Sequence, residues 1–182
     1  MLILASASPR RREILESAGI LFNVRPADVD ETPLENETPE GHVRRLAETK
    51  ARSVWREGEV VLGADTTVAV DALLLGKPEG ATDAARMLRA LSGRRHRVLT
   101  GICFFDGKTA ETAVEETVVE FLPLSEDEIA GYIATGEPFD KAGAYGIQGA
   151  ASKFISRIEG CYFNVVGLPI SLVYRFIRSN LR

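Results

Sequence analysis

The sequence predicts an α/β fold in which flanking helices cover a mixed, twisted sheet. Strand-like and helix-like segments alternate along the chain, as in folds that pack helices on a sheet. Two hairpin signals, Asp71-Ala72 and Asp106-Gly107-Lys108, interrupt the helical crossovers and indicate antiparallel pairs within the sheet. The 182 residues contain no internal repeat and no long linker, so we expect a single domain over 1–182 that is built as two lobes.

The first half of the chain begins with a buried strand, "LILAS". A helix follows it, with Ser8 as the N-cap, Pro9 at the first helical position and Gly19 at the end. Thr38-Pro39 repeats the same start signal for a second helix that runs to about Arg56. The segments "VVLGADTTVAV" and "LLL" then read as two strands joined by the first hairpin turn.

The second half opens with a helix predicted over about Asp83 to Leu91. The strands "RVLTGICFF" and "AVEETVVEFLPL" flank the second hairpin, and Ser125 with Glu128 forms a capping box for a fourth helix ending at Gly136. The glycine-rich segment 137–149 is typical of a functional loop. We expect short strands at "KFISRIEG" and "YFNVVGLP" and a closing helix from about Pro169.

Composition and charge narrow the function classes. The net charge of −4 argues against a dedicated nucleic-acid binder, which is usually basic overall. The two cysteines, Cys103 and Cys161, lack zinc or redox spacing and are expected to be reduced thiols. No apolar run approaches the length of a transmembrane span. We therefore expect a cytoplasmic protein with no membrane partner.

The segment "ASASPRRREIL" places arginines where a helix begins, although the helix dipole already makes that end electropositive. Arg10 and Arg11 follow the Ser8 cap at the second and third helical positions, where their side chains and backbone N–H groups can converge on one anion. A bound phosphate would offset the repulsion, and arginine binds phosphate in bidentate fashion. The alternative is a solvated basic turn; Arg12 points elsewhere and is expected to be exposed.

The second helix contains a lysine on its apolar side. At 100° per residue from Val43, Lys50 lies in the middle of the stripe that also contains Leu46 and Val54. Two interpretations remain open: the side chain extends past the edge of the core to water, or it points into a site that requires a cation.

Acidic residues supply the other half of a candidate site. Asp65 ends the hydrophobic run "VVLGAD", a common position for a general base or a metal ligand, and Gly63 permits close approach of a ligand or another backbone. Glu31 or Asp30 could help to bind a divalent metal, although a solvated acidic loop is the alternative. Lys77 in "LGKP" adds a loop cation.

Several familiar chemistries are absent from the sequence. The chain contains no Walker-type glycine loop and no covalent nucleophile with an adjacent base. His42 and His96 have no triad or metal partners in sequence. Neither histidine therefore indicates a mechanism.

The segments discussed above resemble the Maf family of nucleotide pyrophosphatases, whose fold is related to that of the inosine triphosphate pyrophosphatases. The resemblance covers the chain almost end to end and rests on seven segments in the family's order. They are "LILASASPRRREIL", "LAETKA", "VLGADTTV", "LGKP", "LSGRRHRVLTG", "GEPFDKAGAYGIQG" and "GCYFNVVGLP".

The resemblance implies hydrolysis of a nucleoside triphosphate to the monophosphate and pyrophosphate, with Mg²⁺ or Mn²⁺ as cofactor, in a cleft between the lobes of a homodimeric enzyme. It implies that Asp65 activates water and that Glu31 and Asp65 bind metal. The implied phosphate-binding residues are Ser6, Ser8, Arg11, Lys50 and Lys77. Substrate choice is implied at Arg10, Thr66 and Gln148, and the intact "AYGIQG" is similar to the branch acting on dTTP and UTP.

Two further hypotheses stay open. The family's association with septum formation allows a nucleotide-binding regulator of cell division that does not turn its ligand over. A nucleic-acid binder using the arginine turn is disfavoured by the acidic balance and the lack of clustered aromatic residues. The leading hypothesis is a pyrimidine nucleoside triphosphate pyrophosphatase that removes noncanonical or surplus nucleotides, with CTP and modified pyrimidines as further candidate substrates.

Overall fold

A computed structural model describes residues 1–180 of the chain. Seven strands form one sheet in the order β2-β1-β3-β5-β6-β7, with β4 paired to β3. The strands are β1 (Leu2–Leu4), β2 (Asn23–Val24), β3 (Val60–Val70), β4 (Leu73–Leu75), β5 (Arg95–Phe105), β6 (Ala110–Phe121) and β7 (Ile155–Glu159). The helices are α1 (Pro9–Ser17), α2 (Pro39–Val54), α3 (Ala81–Leu91), α4 (Glu126–Ala134), α5 (Tyr162–Val166) and α6 (Ile170–Asn180).

The sheet is mixed, which confirms the predicted fold class. β1 pairs in parallel with both β2 and β3, whereas β4 runs antiparallel to β3 and β7 antiparallel to β6. In the pairing of β1 with β3, Leu4 lies opposite Leu62. The carboxyl end of β1 therefore reaches β3 just before Asp65, which is the side of a parallel pair where ligand-binding residues usually lie.

The residues divide into two compact units. The first comprises Met1–Thr66, Thr100–Glu115 and the described residues from Gly167 onward; the second comprises Thr67–Leu99 and Glu116–Val166. A core cluster in the first unit includes Ile3, Ala47 and Phe105. A larger one in the second unit includes Leu88, Phe121 and Phe154.

Three predicted helix starts are confirmed by their caps. Ser8 accepts a hydrogen bond from the Arg11 amide, and Thr38 accepts one from the Gly41 amide. Ser125 and Glu128 form the reciprocal capping box. Such caps satisfy N–H groups that the first turn of a helix leaves without partners.

The hairpin predictions are also confirmed. Val70 pairs with Leu73 across a two-residue turn in which Asp71 adopts a positive φ of 50°. At the second hairpin, the Asp106 carboxylate accepts hydrogen bonds from the amides of Lys108 and Thr109. Aspartate suits such turns because its side chain replaces missing backbone partners.

The sequence-based prediction of a strand at "YFNVVGLP" is wrong, because residues 162–166 form the short helix α5. The buried Asn164 amide donates to the Val98 carbonyl and to the Thr117 hydroxyl, while Tyr162 and Phe163 are exposed. Tertiary hydrogen bonds in the second unit therefore override the strand propensity of the segment.

Smaller differences concern element limits. β2 had no counterpart in the prediction, since two residues carry no readable pattern. The strand expected over "KFISRIEG" begins only at Ile155, after a short 3₁₀ helix over Ala150–Phe154. The third helix starts at Ala81 rather than Asp83, whose carboxylate accepts a hydrogen bond from the Glu79 amide.

Among residues 1–180, none of the helices combines the length and the apolarity needed to cross a membrane.

Candidate active site

The turn between β1 and α1 holds two serine hydroxyls at a helix N-terminus. The Ser6 hydroxyl accepts a hydrogen bond of 3.2 Å from the Ser8 amide, and the Ser8 hydroxyl caps α1. Ser6 is buried and Ser8 half-buried. The turn is thereby fixed, with its hydroxyls at the electropositive end of the helix.

Arg11 is a buried junction in the first unit. Its Nε donates to the Gly167 carbonyl at 2.8 Å, and its Nη1 donates to the Ala64 carbonyl at 2.8 Å and to the Ser6 hydroxyl at 3.2 Å. Its Nη2 donates to the Thr66 hydroxyl at 3.0 Å. Four of the five N–H groups of the guanidinium are therefore used: one at Nε, two at Nη1 and one at Nη2. The side chain mainly holds these acceptors in place.

Two arginines and two carboxylates share this neighbourhood. Burial lowers the pKa of the Arg11 guanidinium; the nearby charges of Asp65 and Glu31 raise it, and the like charge of Arg10 lowers it further. The predicted site residues of the first unit are thus close enough to interact electrostatically.

Lys50 joins the two predicted acids. Its Nζ lies 2.6 Å from Asp65 Oδ1 and 2.6 Å from Glu31 Oε1. The side chains of Lys50 and Asp65 are each 9% exposed, whereas that of Glu31 is 48% exposed. Of the two interpretations of this lysine, the structure therefore supports the one in which it points into a charged site.

Glycines explain how Lys50 reaches Asp65. A Cβ at Gly63 on β3 would overlap the Ala47 carbonyl oxygen of α2, and one at Gly101 on β5 would overlap the Val43 carbonyl oxygen. α2 therefore packs its backbone directly against these strands, which any larger residue would prevent. The close approach permitted by Gly63 is to another backbone.

Thr66, one of the three predicted specificity residues, forms a hydroxyl pair with Thr100. Its Oγ1 lies 2.8 Å from the Thr100 Oγ1 and accepts the hydrogen bond from Arg11. Thr100 is fully buried. The sequence signal for Thr100 was a polar residue inside the apolar run "RVLTGICFF", but nothing in the sequence connects it to Thr66.

The acidic pair is suited to a divalent cation. Glu31 and Asp65 direct one oxygen each at the same ammonium nitrogen, so they already converge on a position for positive charge. Within residues 1–180 no three His, Cys, Asp or Glu side chains cluster as a complete metal site. Two carboxylates nevertheless match Mg²⁺, which usually takes one or two from the protein and the rest from water and phosphate.

Asp30, the alternative metal ligand, uses its carboxylate in a local hydrogen bond within its own turn. It is exposed, and its carboxylate accepts a 2.9 Å hydrogen bond from the Thr32 amide. Hydrogen bonds from Thr32 lower the pKa of Asp30. Its geometry therefore indicates a loop-ordering role.

A cluster missed by the sequence analysis is tied to the residue after Glu31, because Arg45 Nη2 donates to the Thr32 carbonyl at 3.1 Å. The Glu37 carboxylate accepts hydrogen bonds from Arg45 Nε at 2.6 Å and from the Leu34 amide at 3.1 Å, and lies 2.9 Å from His42 Nδ1. The Arg45 bonds lower the pKa of Glu37 to about 2, opposed by burial. The residue spacing on α2 could not indicate this cluster, because Glu37 lies before the start of the helix.

The remaining predicted residues belong to the second unit. Lys77 is exposed in the segment that follows β4. Gln148 is exposed on a turn between two 3₁₀ helices, Ala142–Ala144 and Ala150–Phe154.

The sequence matches a known protein family along almost its whole length. The family described as Maf-like protein matches residues 1–180. A dTTP/UTP pyrophosphatase of Geobacter sp. (strain M21) is 53% identical over 181 residues, covering 97% of this chain and 94% of the relative. One from Koribacter versatilis (strain Ellin345) is 52% identical over 179 residues, covering 97% and 93%.

A HAM1 protein from Coxiella burnetii aligns with a TM-score of 0.46 and 18% identity over 66% of this chain and 72% of that one. The family match over residues 1–180, together with relatives at about half identity along nearly the whole sequence, shows that the chain belongs to the Maf family.

Proposed function

We propose that this chain hydrolyses pyrimidine nucleoside triphosphates, dTTP and UTP foremost, to the monophosphate and pyrophosphate. The observation that carries the proposal is the buried Lys50 ammonium, 2.6 Å from both Asp65 and Glu31. The names of relatives at 50–53% identity, all dTTP/UTP pyrophosphatases, support the substrate class.

Asp65 is the proposed general base. Its buried carboxylate takes a proton from a water molecule whose oxygen attacks the α-phosphorus, and the bond from that phosphorus to the bridging oxygen breaks. The pyrophosphate leaves with the electron pair. Lys50 donates to Asp65 Oδ1 and so fixes the orientation in which the carboxylate meets water.

The phosphates are assigned to Ser6, Ser8, Arg11, Lys50 and Lys77. Hydroxyls at the start of α1 and the cations around Asp65 supply fixed positive potential where charge develops on the leaving group. Arg11 acts mainly by holding Ser6 and Thr66, with one Nη2 hydrogen left for a phosphate oxygen. Arg10, Thr66 and Gln148 are assigned to substrate choice.

Pyrophosphatases of this family generally depend on a metal. Glu31 and Asp65 would hold a divalent cation such as Mg²⁺ or Mn²⁺, which would neutralise charge on the phosphate oxygens.

A panel of nucleoside triphosphates with Mg²⁺ or Mn²⁺, assayed for pyrophosphate and orthophosphate separately, tests the proposal. We expect pyrophosphate from dTTP and UTP, and a loss of about 10²-fold or more in Asp65→Asn, which keeps the shape but not the basicity. Orthophosphate release would contradict attack at the α-phosphorus. Binding without turnover would favour the regulator hypothesis instead.

A further inference from the structure

The turn that carries Gln148 is held from both ends by two residues to which no function has been assigned. In the second unit the Gly149 amide donates to the Gly146 carbonyl at 3.2 Å, closing the turn. Gln148 projects from it, exposed. The way this turn is anchored therefore determines where the Gln148 amide is presented.

Tyr132 and Glu137 supply the anchors. The Gly146 amide, before the turn, donates to the Tyr132 hydroxyl at 3.2 Å, and that hydroxyl donates to Glu137 Oε1 at 2.8 Å. The Ala150 amide, after the turn, donates to Glu137 Oε2 at 2.9 Å. One carboxylate thus receives both ends of the turn, one directly and one through a tyrosine.

We propose that Glu137 and Tyr132 are positioning residues for nucleobase selection, acting by clamping the turn that presents Gln148. The inference rests on the proposed function, which assigns Gln148 to substrate choice. The glutamine amide offers a donor and an acceptor side by side. That pattern complements the N3–H and O4 edge of thymine or uracil only when the amide is presented in a fixed position.

The surroundings of the clamp make it rigid. Tyr132 is 3% exposed, and burial together with its hydrogen bond to Glu137 raises the pKa of its hydroxyl, so the donor stays protonated. Lys141 Nζ donates to the Glu137 carbonyl at 2.7 Å and fixes its backbone. A Cβ at Gly149 would overlap the Glu137 carboxylate, so the turn lies directly against it.

Kinetics on matched nucleotides test the clamp. The quantity is the ratio of kcat/KM for dTTP to that for dCTP, which differ at the base alone. We expect Glu137→Ala and Tyr132→Phe to lower this ratio by about tenfold or more, through a raised KM for dTTP, because small displacements of a contacting group cost up to about 100-fold. Glu137→Gln, which keeps one acceptor oxygen, should give an intermediate ratio.

A double-mutant cycle separates positioning from general weakening. If Glu137 acts through Gln148, Glu137→Ala should not change the ratio further in a Gln148→Ala background. Glu128→Ala is the matched control, because it removes the capping box of α4, the helix that carries Tyr132, without touching the turn. It should lower the melting temperature and leave the ratio unchanged.

Hydrogen exchange supplies a readout that does not need turnover. The Gly146 amide should exchange faster in Tyr132→Phe, and the Ala150 amide faster in Glu137→Ala, than in wild type. An unchanged dTTP/dCTP ratio in folded Tyr132→Phe, additive effects in the cycle, or a wild-type ratio near one would each overturn the clamp. A wild-type protein that released no pyrophosphate from any nucleotide would instead contradict the proposed function, even with the exchange difference present.

Discussion

Lys50 is a charged residue in a position that helix geometry reserves for apolar side chains. Removing an ammonium from water costs several kcal/mol unless it is paired, and here Asp65 and Glu31 provide the pairing. A buried ion pair of this kind adds little net stability compared with an apolar pair. Removing one partner is nevertheless destabilising, because the other charge is then buried without a counter-charge. The arrangement is therefore better explained by chemistry than by folding.

Replacing Lys50 should separate these two contributions. Lys50→Met leaves Asp65 buried without its partner, so we expect the free energy of unfolding to fall by about 3 kcal/mol and turnover to fall by about 10²-fold or more. Adding Asp65→Asn removes the stranded charge and should restore much of the stability but none of the activity. Urea unfolding and pyrophosphate release measure the two quantities.

Lys108→Met is the control, since Lys108 is exposed on the hairpin turn after β5. A Lys50→Met protein with wild-type turnover would contradict the site assignment. A double variant no more stable than Lys50→Met would contradict the pairing.

His96 predicts a pH dependence of stability. Its Nε2 lies 2.8 Å from the Tyr145 hydroxyl, and burial lowers the pKa of His96 from 6.5 to about 4. Between these two pH values the His96 side chain is protonated in the unfolded chain but neutral in the folded one. The free energy of unfolding therefore keeps its full value above pH 6.5. It declines by up to about 3 kcal/mol as the pH falls toward 4.

Urea unfolding followed by Trp55 fluorescence at pH 5.0 to 7.0 checks this expectation. His96→Gln keeps a polar group near Tyr145 but does not titrate, so its unfolding free energy should vary less over that range. Glu37 does not disturb this measurement. Its pKa is lowered from 4.5 to about 2 by folding, so its effect on stability changes below the pH range of 5.0 to 7.0. Equal slopes for both proteins would rule out His96 as the source.

At the scale of elements, the position of α2 against the sheet depends on two glycines. Gly63→Ala would force the helix backbone away from β3 and carry Lys50 from Asp65, so both stability and turnover should fall. Gly101→Ala should behave alike. Melting temperature and pyrophosphate release measure the effect.

Gly131 is the matched control for that prediction. It lies within α4, and nothing is within 4 Å of where its Cβ would be. Gly131→Ala should therefore raise the free energy of unfolding by about 0.4–1 kcal/mol. A Gly63→Ala protein as stable and active as Gly131→Ala would contradict the close packing of α2.

Elements with local signals could be read from the sequence, and those set by distant contacts could not. The caps at Ser8, Thr38 and Ser125 are determined within four residues, so their helices were predictable. α5 was not, because Asn164 finds its partners more than 40 residues away. Periodicity placed Lys50 on the buried side of α2, but only the fold supplies its partners.

The site follows the same rule. Asp65 and Glu31 were named from sequence, yet their shared contact with Lys50 depends on the packing of α2 against β3. Thr100 was missed, because hydroxyl pairs across a sheet leave no spacing in the sequence. The carbonyl of Gly167 was missed as well, since a backbone acceptor has no residue type to mark it.

At the scale of the whole molecule, a chain of net charge −4 is proposed to bind a polyanion. Long-range electrostatics oppose that association, so local cations, together with the proposed metal, are expected to overcome the repulsion. The expected homodimer and cytoplasmic location stay predictions, and sedimentation of the purified protein tests the first.

Stabilisation by ligand and its loss on chelation test the balance of local charges. With Mg²⁺ and an α,β-methylene analogue of UTP at about 100 times its Kd, the chain should gain about 2.7 kcal/mol of unfolding free energy. For a domain of this size that raises the Tm by roughly 5–10 °C. Chelation should remove most of the shift, because the charge of the phosphates would then be offset by the cations of the chain alone. The same treatment without nucleotide should barely move the Tm, since Lys50 pairs with both acids. An undiminished shift after chelation would show that the chain's own cations suffice for binding. Glu31 would then serve to pair with Lys50 and not to bind a metal.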